Sequence, residues 1–324
     1  MAHRVLIPLG PLLVGFTLLT LASGCDKLSR GVVREIEFPD HDPELAVTFL
    51  ARPQADSLYA RTHASSGILD SAESPRVKTA EYTLTHESGV TVNWGGQEDW
   101  VSHFGHLLTD VDLALGTWTL TVSATGFETA TSEQTFPPVI AADGNYAYSA
   151  QSALVDSVFE GEPGWYWGNR EYELSLSLPD RPDVEDHFLL RSQLGFRYGA
   201  GGDWGEGQHI WLEAVIRDDP RVEYNESLGG YLIQDVPGAD ALESIPFEVF
   251  QEAWGEDAEA FFEAPPVLEL AALSPEMVLF YRRLDQVVDG AGGLFFSEPL
   301  LSYSNVSSGY GCFGLYTSTE VVLD

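Results

Sequence analysis

Four groups of residues in this chain have types and spacings that could do chemistry. Cys25 is one of only two cysteines and follows an apolar run and the small residues Ala22, Ser23 and Gly24. A thiol in that place can take a lipid as a thioether once the preceding residues are cut away. Trp165, Tyr166 and Trp167 sit together in "GEPGWYWGNREY". In an extended chain Trp165 and Trp167 point to one face and Tyr166 to the other. Two such indoles can stack on a sugar or another flat ligand, and the plainer alternative is that they are core. His103 and His106 in "HFGH" have metal-like spacing, but two histidines with no cysteine nearby make a weak zinc site. The 50 acidic residues could include a glycosidase pair, yet among so many none stands out.

Other signatures fail on inspection. "GAGGDWGEG" is glycine-rich but lacks the Lys-Ser/Thr ending of a phosphate loop. There is no G-x-S-x-G elbow, no H-E-x-x-H and no calcium-loop pattern. Asn225 and Asn305 each match the N-x-S glycosylation acceptor, a pattern too short to carry weight alone. No catalytic residue, cofactor or metal is expected.

Cys25 draws its meaning from the segment before it. "MAHR" supplies a short basic start, and no charge occurs from Val5 to Leu21. That is the layout of an export signal. A spanning helix needs about 20 apolar residues; this run is slightly short and carries Pro8, Gly10 and Pro11. The end of the run resembles a bacterial lipobox, with Ala22 where leucine is preferred. Residues 1–24 then form a lipoprotein signal, Cys25 is the lipid-attachment residue, and 25–42 is a linker. An ordinary secretory signal and a membrane helix are the two alternatives. With Cys25 acylated, Cys312 is left alone and reads as a small buried apolar residue. No disulfide is expected.

The net charge is −34, and 14 of the 16 basic residues are arginine, with Lys27 and Lys78 the only lysines. Such a charge keeps a protein soluble while it repels itself, a balance suited to high salt and to a marine or halophilic habit. It argues against nucleic acid, which needs a basic footprint. It argues equally against broad contact with anionic lipid heads. Membrane attachment must come from the acyl chains.

The elements that would position these residues are mostly strands. "ELAVTFL", "AEYTLTH", "GVTVNW" and "GTWTLTVSA" alternate with period two between turn residues. They predict an immunoglobulin-like β-sandwich over 43–137. "FPPVIAADGNY" then marks a boundary. Residues 138–324 are again strand-rich, in "YELSLSLP", "DHFLLRSQLGFRY", "QHIWLEAVI", "GYLIQDV" and "GYGCFGLYTSTEVVL". One segment has helical spacing. Ser274 is placed as an N-cap, Pro275 at the first helical position, and Met277, Phe280, Tyr281, Leu284 and Val288 form a stripe ended by Gly290. An amphipathic helix over 275–289 follows, and the fold class is mainly β.

Together, "LGTWTLTVSATGFETATSEQTFP", "YELSLSLPDRPDVEDHFLLR", "LSPEMVLFYRRL" and "FSEPLLSYSNVSSGYGCFGLYTST" resemble the domain-of-unknown-function 4249 family of Bacteroidota outer-membrane lipoproteins. The closing motif, Asn305 and then Gly309 to Phe313, is its most specific part. The resemblance implies an outer-membrane, lipid-anchored, non-enzymatic protein found beside TonB-dependent receptors. It carries over only Cys25 as a functional residue. A receptor of that kind and a small glycan or peptide ligand are the implied partners. An envelope glycan-active enzyme and a structural or adhesive sandwich are the alternatives.

Overall fold

The computed structural model describes residues 42–66, 74–101, 104–140, 146–155, 166–178, 185–192, 197–198, 207–215, 219–234, 242–255, 265–291 and 303–323. The first strands are β1 (Leu45–Ala51), β2 (Ala55–Ala64), β3 (Glu81–His86), β4 (Thr91–Gly95), β5 (Trp100–Val101), β6 (Gly105–Val111), β7 (Thr117–Ser123) and β8 (Ala130–Thr135). There follow β9 (Tyr146–Val155), β10 (Tyr166–Leu176), β11 (His187–Ser192), β12 (Arg197–Tyr198), β13 (Gly207–Ala214), β14 (Val222–Asn225) and β15 (Gly230–Gln234). The chain closes with β16 (Ile245–Gly255), β17 (Val267–Leu273), the helix α1 (Pro275–Ala291) and β18 (Gly309–Val322). The fold is mainly β with one helix near the C-terminus, as the alternation predicts.

Three sheets make two sandwiches. A nine-stranded sheet runs β14-β15-β11-β17-β18-β1-β2-β6-β5, a five-stranded sheet β12-β13-β16-β10-β9, and a four-stranded sheet β4-β3-β7-β8. The first core lies between the four-stranded sheet and β18, β1, β2 and β6, with Leu45, Val47, Phe49, Tyr82, Leu84 and Trp118 buried. Its aromatic centre stacks Tyr82 on Trp94 at 4.9 Å and Phe49 on Phe313 at 5.9 Å between ring centroids. The second core lies between the five-stranded sheet and β15, β11, β17 and β18, around Leu174, Phe247, Val249, Leu268 and Leu270.

The last strand serves both. Phe313 and Leu315 enter the first core, while Val321 and Leu323 enter the second. All four have one parity, so both small sheets cover the same side of the long one. The even-numbered Cys312 and Tyr316 face the other side, under α1, with Met277 and Val278. Val306, Phe313 and Leu315, all from beyond the 137/138 boundary expected from sequence, pack in the first core, and the nine-stranded sheet takes strands from both sides of it. β18 runs parallel to β1, with Val47 opposite Gly311. The boundary segment itself is packed: Phe136 joins the first core, Ile140 the second, and Thr317 donates to the Pro138 carbonyl at 2.9 Å.

Helix α1 begins at Pro275 as expected and runs one residue past Gly290. Its cap differs from expectation. The Ser274 carbonyl accepts from the backbone of Met277 and Val278, but its buried hydroxyl finds no partner. Packing of Met277 and Val278 against the sheet, not a side-chain cap, holds the helix start.

Candidate functional site

The nine-stranded sheet buries one charged group against the grain of its pattern. Glu269 in β17 is only 4% exposed and stands directly across from Arg191 in β11. Arg191 points Nε and Nη2 at one carboxylate oxygen, Oε2, both at 2.7 Å. Its Nη1 donates to the Leu228 carbonyl at 3.3 Å. Arg52, just beyond β1, brings Nη1 to 3.7 Å from Oε1 and donates to the Ser318 hydroxyl at 3.2 Å. A buried carboxylate needs such partners, because desolvation would otherwise cost several kcal/mol.

These groups line a cavity of about 530 Å³ with Ser57, Ser192 and Tyr316. Arg191 shares its parity with Leu189, and Glu269 with Ala271, both of which pack towards α1. The cavity therefore opens on the helix side of the sheet. The two arginine side chains keep 40% and 33% of their surface exposed. Burial pushes the Tyr316 hydroxyl above its ordinary value, and a hydrogen bond from Arg191 partly opposes this. Sequence reading missed this site. Its signal was a charge inside each of two apolar strands, "FLLRS" and "VLELAAL".

The residues singled out from sequence fall elsewhere. Cys25, Trp165 and His103 lie outside the described residues. Tyr166 and Trp167 open β10, with Trp167 opposite Trp254 in the ladder to β16. The exposed Glu171 and Glu173 of β10 mark the solvent face of the five-stranded sheet. That solvent face of the five-stranded sheet carries a shallow hollow of about 440 Å³ lined by Ala147, Ser149, Glu173, Ser175, Pro246 and Glu248. Glu173, Glu248 and Glu213 stand side by side across three strands. Like charges placed so repel.

His106 is a core group. Its Nε2–H donates to the Lys78 carbonyl at 3.0 Å, which leaves Nδ1 to accept from the Tyr82 hydroxyl at 3.0 Å. Tyr82 in turn accepts from Thr62 at 2.7 Å. Burial holds His106 below the ordinary 6.5, opposed by its Lys78 hydrogen bond and by Asp99. Burial likewise holds His187 below 6.5. Both stay neutral in the fold, while the unfolded chain takes up protons below about pH 6.5. Their stabilisation is therefore full above that pH and lost as pH falls through their lower folded values. Carboxylates barely titrate between about pH 7.5 and pH 5.5, so histidine dominates there. Melting temperature should fall across that window, and His106→Gln should flatten the slope. A slope unchanged by the substitution would remove His106 as its source.

Cys312 matches the plain reading. It is fully buried under α1, and burial pushes its thiol up to about 12. No group of three or more metal-ligating side chains occurs among the described residues. Among them, too, no helix is long and apolar enough to cross a membrane.

The profile of the Domain of unknown function (DUF4249) family matches residues 33–321. The chain belongs to the DUF4249 family. No curated protein matches this DUF4249 chain. Among solved structures it is similar to the full-length major pilin SpaD from Corynebacterium diphtheriae, at 7% identity and a TM-score of 0.17, covering 88% of this chain and 68% of the pilin. A protein from the same organism described as membrane anchored is 11% identical with a TM-score of 0.19, covering 73% of this chain and 55% of that one.

The closing motif through which the chain resembled DUF4249 is structural. The Asn305 side chain donates to the Phe313 carbonyl at 2.7 Å and accepts from the Phe313 amide at 2.9 Å, mimicking a paired strand. Gly311 has φ +111°, and a β-carbon there would overlap the Val47 carbonyl. Asn225 is buried, its side-chain oxygen accepting from the Leu228 amide at 2.8 Å.

Proposed function

We propose that this DUF4249 chain is a non-enzymatic, lipid-anchored protein of the outer membrane that holds a small ligand for a TonB-dependent receptor. The observation that carries the reading is the cavity at Arg52, Arg191 and Glu269. Its volume of about 530 Å³ suits a small molecule. Its polar groups come from several paired strands, which hold them in place without a ligand. Glu269 is engaged by two guanidinium groups. That arrangement favours holding a charged group over moving a proton.

Anchoring supports the same reading. Acyl chains on Cys25 would confine the cavity to the membrane surface, where a receptor takes up its substrate. Cross-linking in native envelopes, followed by isolation of this chain, should recover a TonB-dependent receptor. The yield should drop when Cys25→Ser releases the chain. Recovery of the anchored chain without any such receptor would contradict the accessory role.

A further inference from the structure

The charges around the cavity specify what it takes. Of the residues that line the cavity, Arg52 and Arg191 contribute two positive charges and Glu269 one negative, a net charge of +1 in a chain of −34, while the exposed Glu320, across from Glu269 in β18, stands outside the lining. Arg191 is engaged on Nε, Nη2 and Nη1. Arg52 reaches Glu269 only at 3.7 Å and keeps 40% of its side-chain surface exposed. Its guanidinium is therefore the group with room for a further acceptor. A planar carboxylate fits a guanidinium fork with two parallel hydrogen bonds. A single negative charge neutralises the +1, whereas a dianion overshoots it beside the buried Glu269.

We infer that the cavity binds a small polar organic monocarboxylate, with Arg52 as the carboxylate-binding residue and Glu269 as the group that limits the site to one negative charge. The hydroxyls of Ser57, Ser192 and Tyr316 line the remaining volume, which exceeds a carboxylate and suits a polyhydroxylated or peptide-like body. The inference deepens the binding reading and rests on it. It does not depend on the receptor.

The test is ligand-observed NMR on the full-length chain in detergent at constant ionic strength, with acetate, glucuronate and N-acetylglycine as probes. Glucose and inorganic phosphate are the comparisons. At least one monocarboxylate should bind, and glucose should not. Arg52→Gln takes the site to zero charge and should weaken binding about tenfold or more, which corresponds to roughly 1.4 kcal/mol. Glu269→Gln takes it to +2 and should strengthen binding. A merely structural disturbance would move both variants the same way. Because Arg52 is half-buried and reaches Glu269 only at 3.7 Å, leaving Arg191 as the carboxylate's close partner, Arg52→Gln should melt close to the parent and stays informative even if Glu269→Gln folds poorly. Silence from all three carboxylates, equal binding in the parent and Arg52→Gln, or tighter binding of phosphate would each overturn the inference. Receptor recovery fails or succeeds independently of these results.

Discussion

Gly311→Ala should cost more stability than any surface change in this protein. The residue sits at φ +111°, where an alanine is strained. Its new β-carbon would also overlap the Val47 carbonyl, which is backbone and cannot swing aside. Val47 and Gly311 are direct partners in the β1–β18 pairing, the seam that joins the two halves of the nine-stranded sheet. The expected loss is about 3–5 kcal/mol, in the range of named backbone and packing failures. A melting temperature lowered by on the order of 10 °C follows from that loss. Gly126 supplies the control, with φ +90° and nothing within 4 Å of an added β-carbon. Gly126→Ala should show the φ strain alone, about 1–3 kcal/mol. Equal losses at the two positions, followed by circular dichroism on heating, would mean that the seam is not tight.

The pattern of a strand is readable in sequence when one face is wet. β1, β3 and β7 each bury alternate residues, and their alternation is plain in "LAVTFLA", "EYTLTH" and "TWTLTVS". β17 hides its nature because both of its faces are covered. Leu268, Leu270 and Ala272 meet the five-stranded sheet, while Ala271 and Leu273 meet α1. Its run "VLELAAL" therefore has no period to read. β2 is obscured differently, since its inward positions are mostly alanine and its outward ones include Asp56, Ser57 and Arg61. Nothing local marks the parallel pairing of β1 with β18, because its partners come from opposite ends of the chain. The cavity shares that difficulty. Arg52, Arg191 and Glu269 are single residues on three segments, and only the register of β11 with β17, of β17 with β18 and of β18 with β1 brings them together. The aromatic group at Trp165 to Trp167 was conspicuous because it is contiguous. Contiguity is a property of sequence, whereas sites are built from register.

Cys25→Ser should move the protein almost completely from the membrane to the soluble fraction. Two or more acyl chains give stable anchoring, each buried methylene adding about 0.8 kcal/mol, and a serine there receives none. The chain's charge of −34 opposes anionic lipid heads, and no described helix is long and apolar enough to span. Fractionation of cells expressing each form reads the difference directly, and a variant that stays with the membrane would show that something else holds it.

The most direct measurement of the account as a whole is the intact mass of the protein taken from its native membranes. Lipid-anchored ligand capture at the outer membrane requires a chain that begins at Cys25 and carries acyl groups on the thiol and the amine. The expected mass is that of residues 25–324 plus those groups. A chain that retains residues 1–24, or one with a free thiol at Cys25, would contradict it.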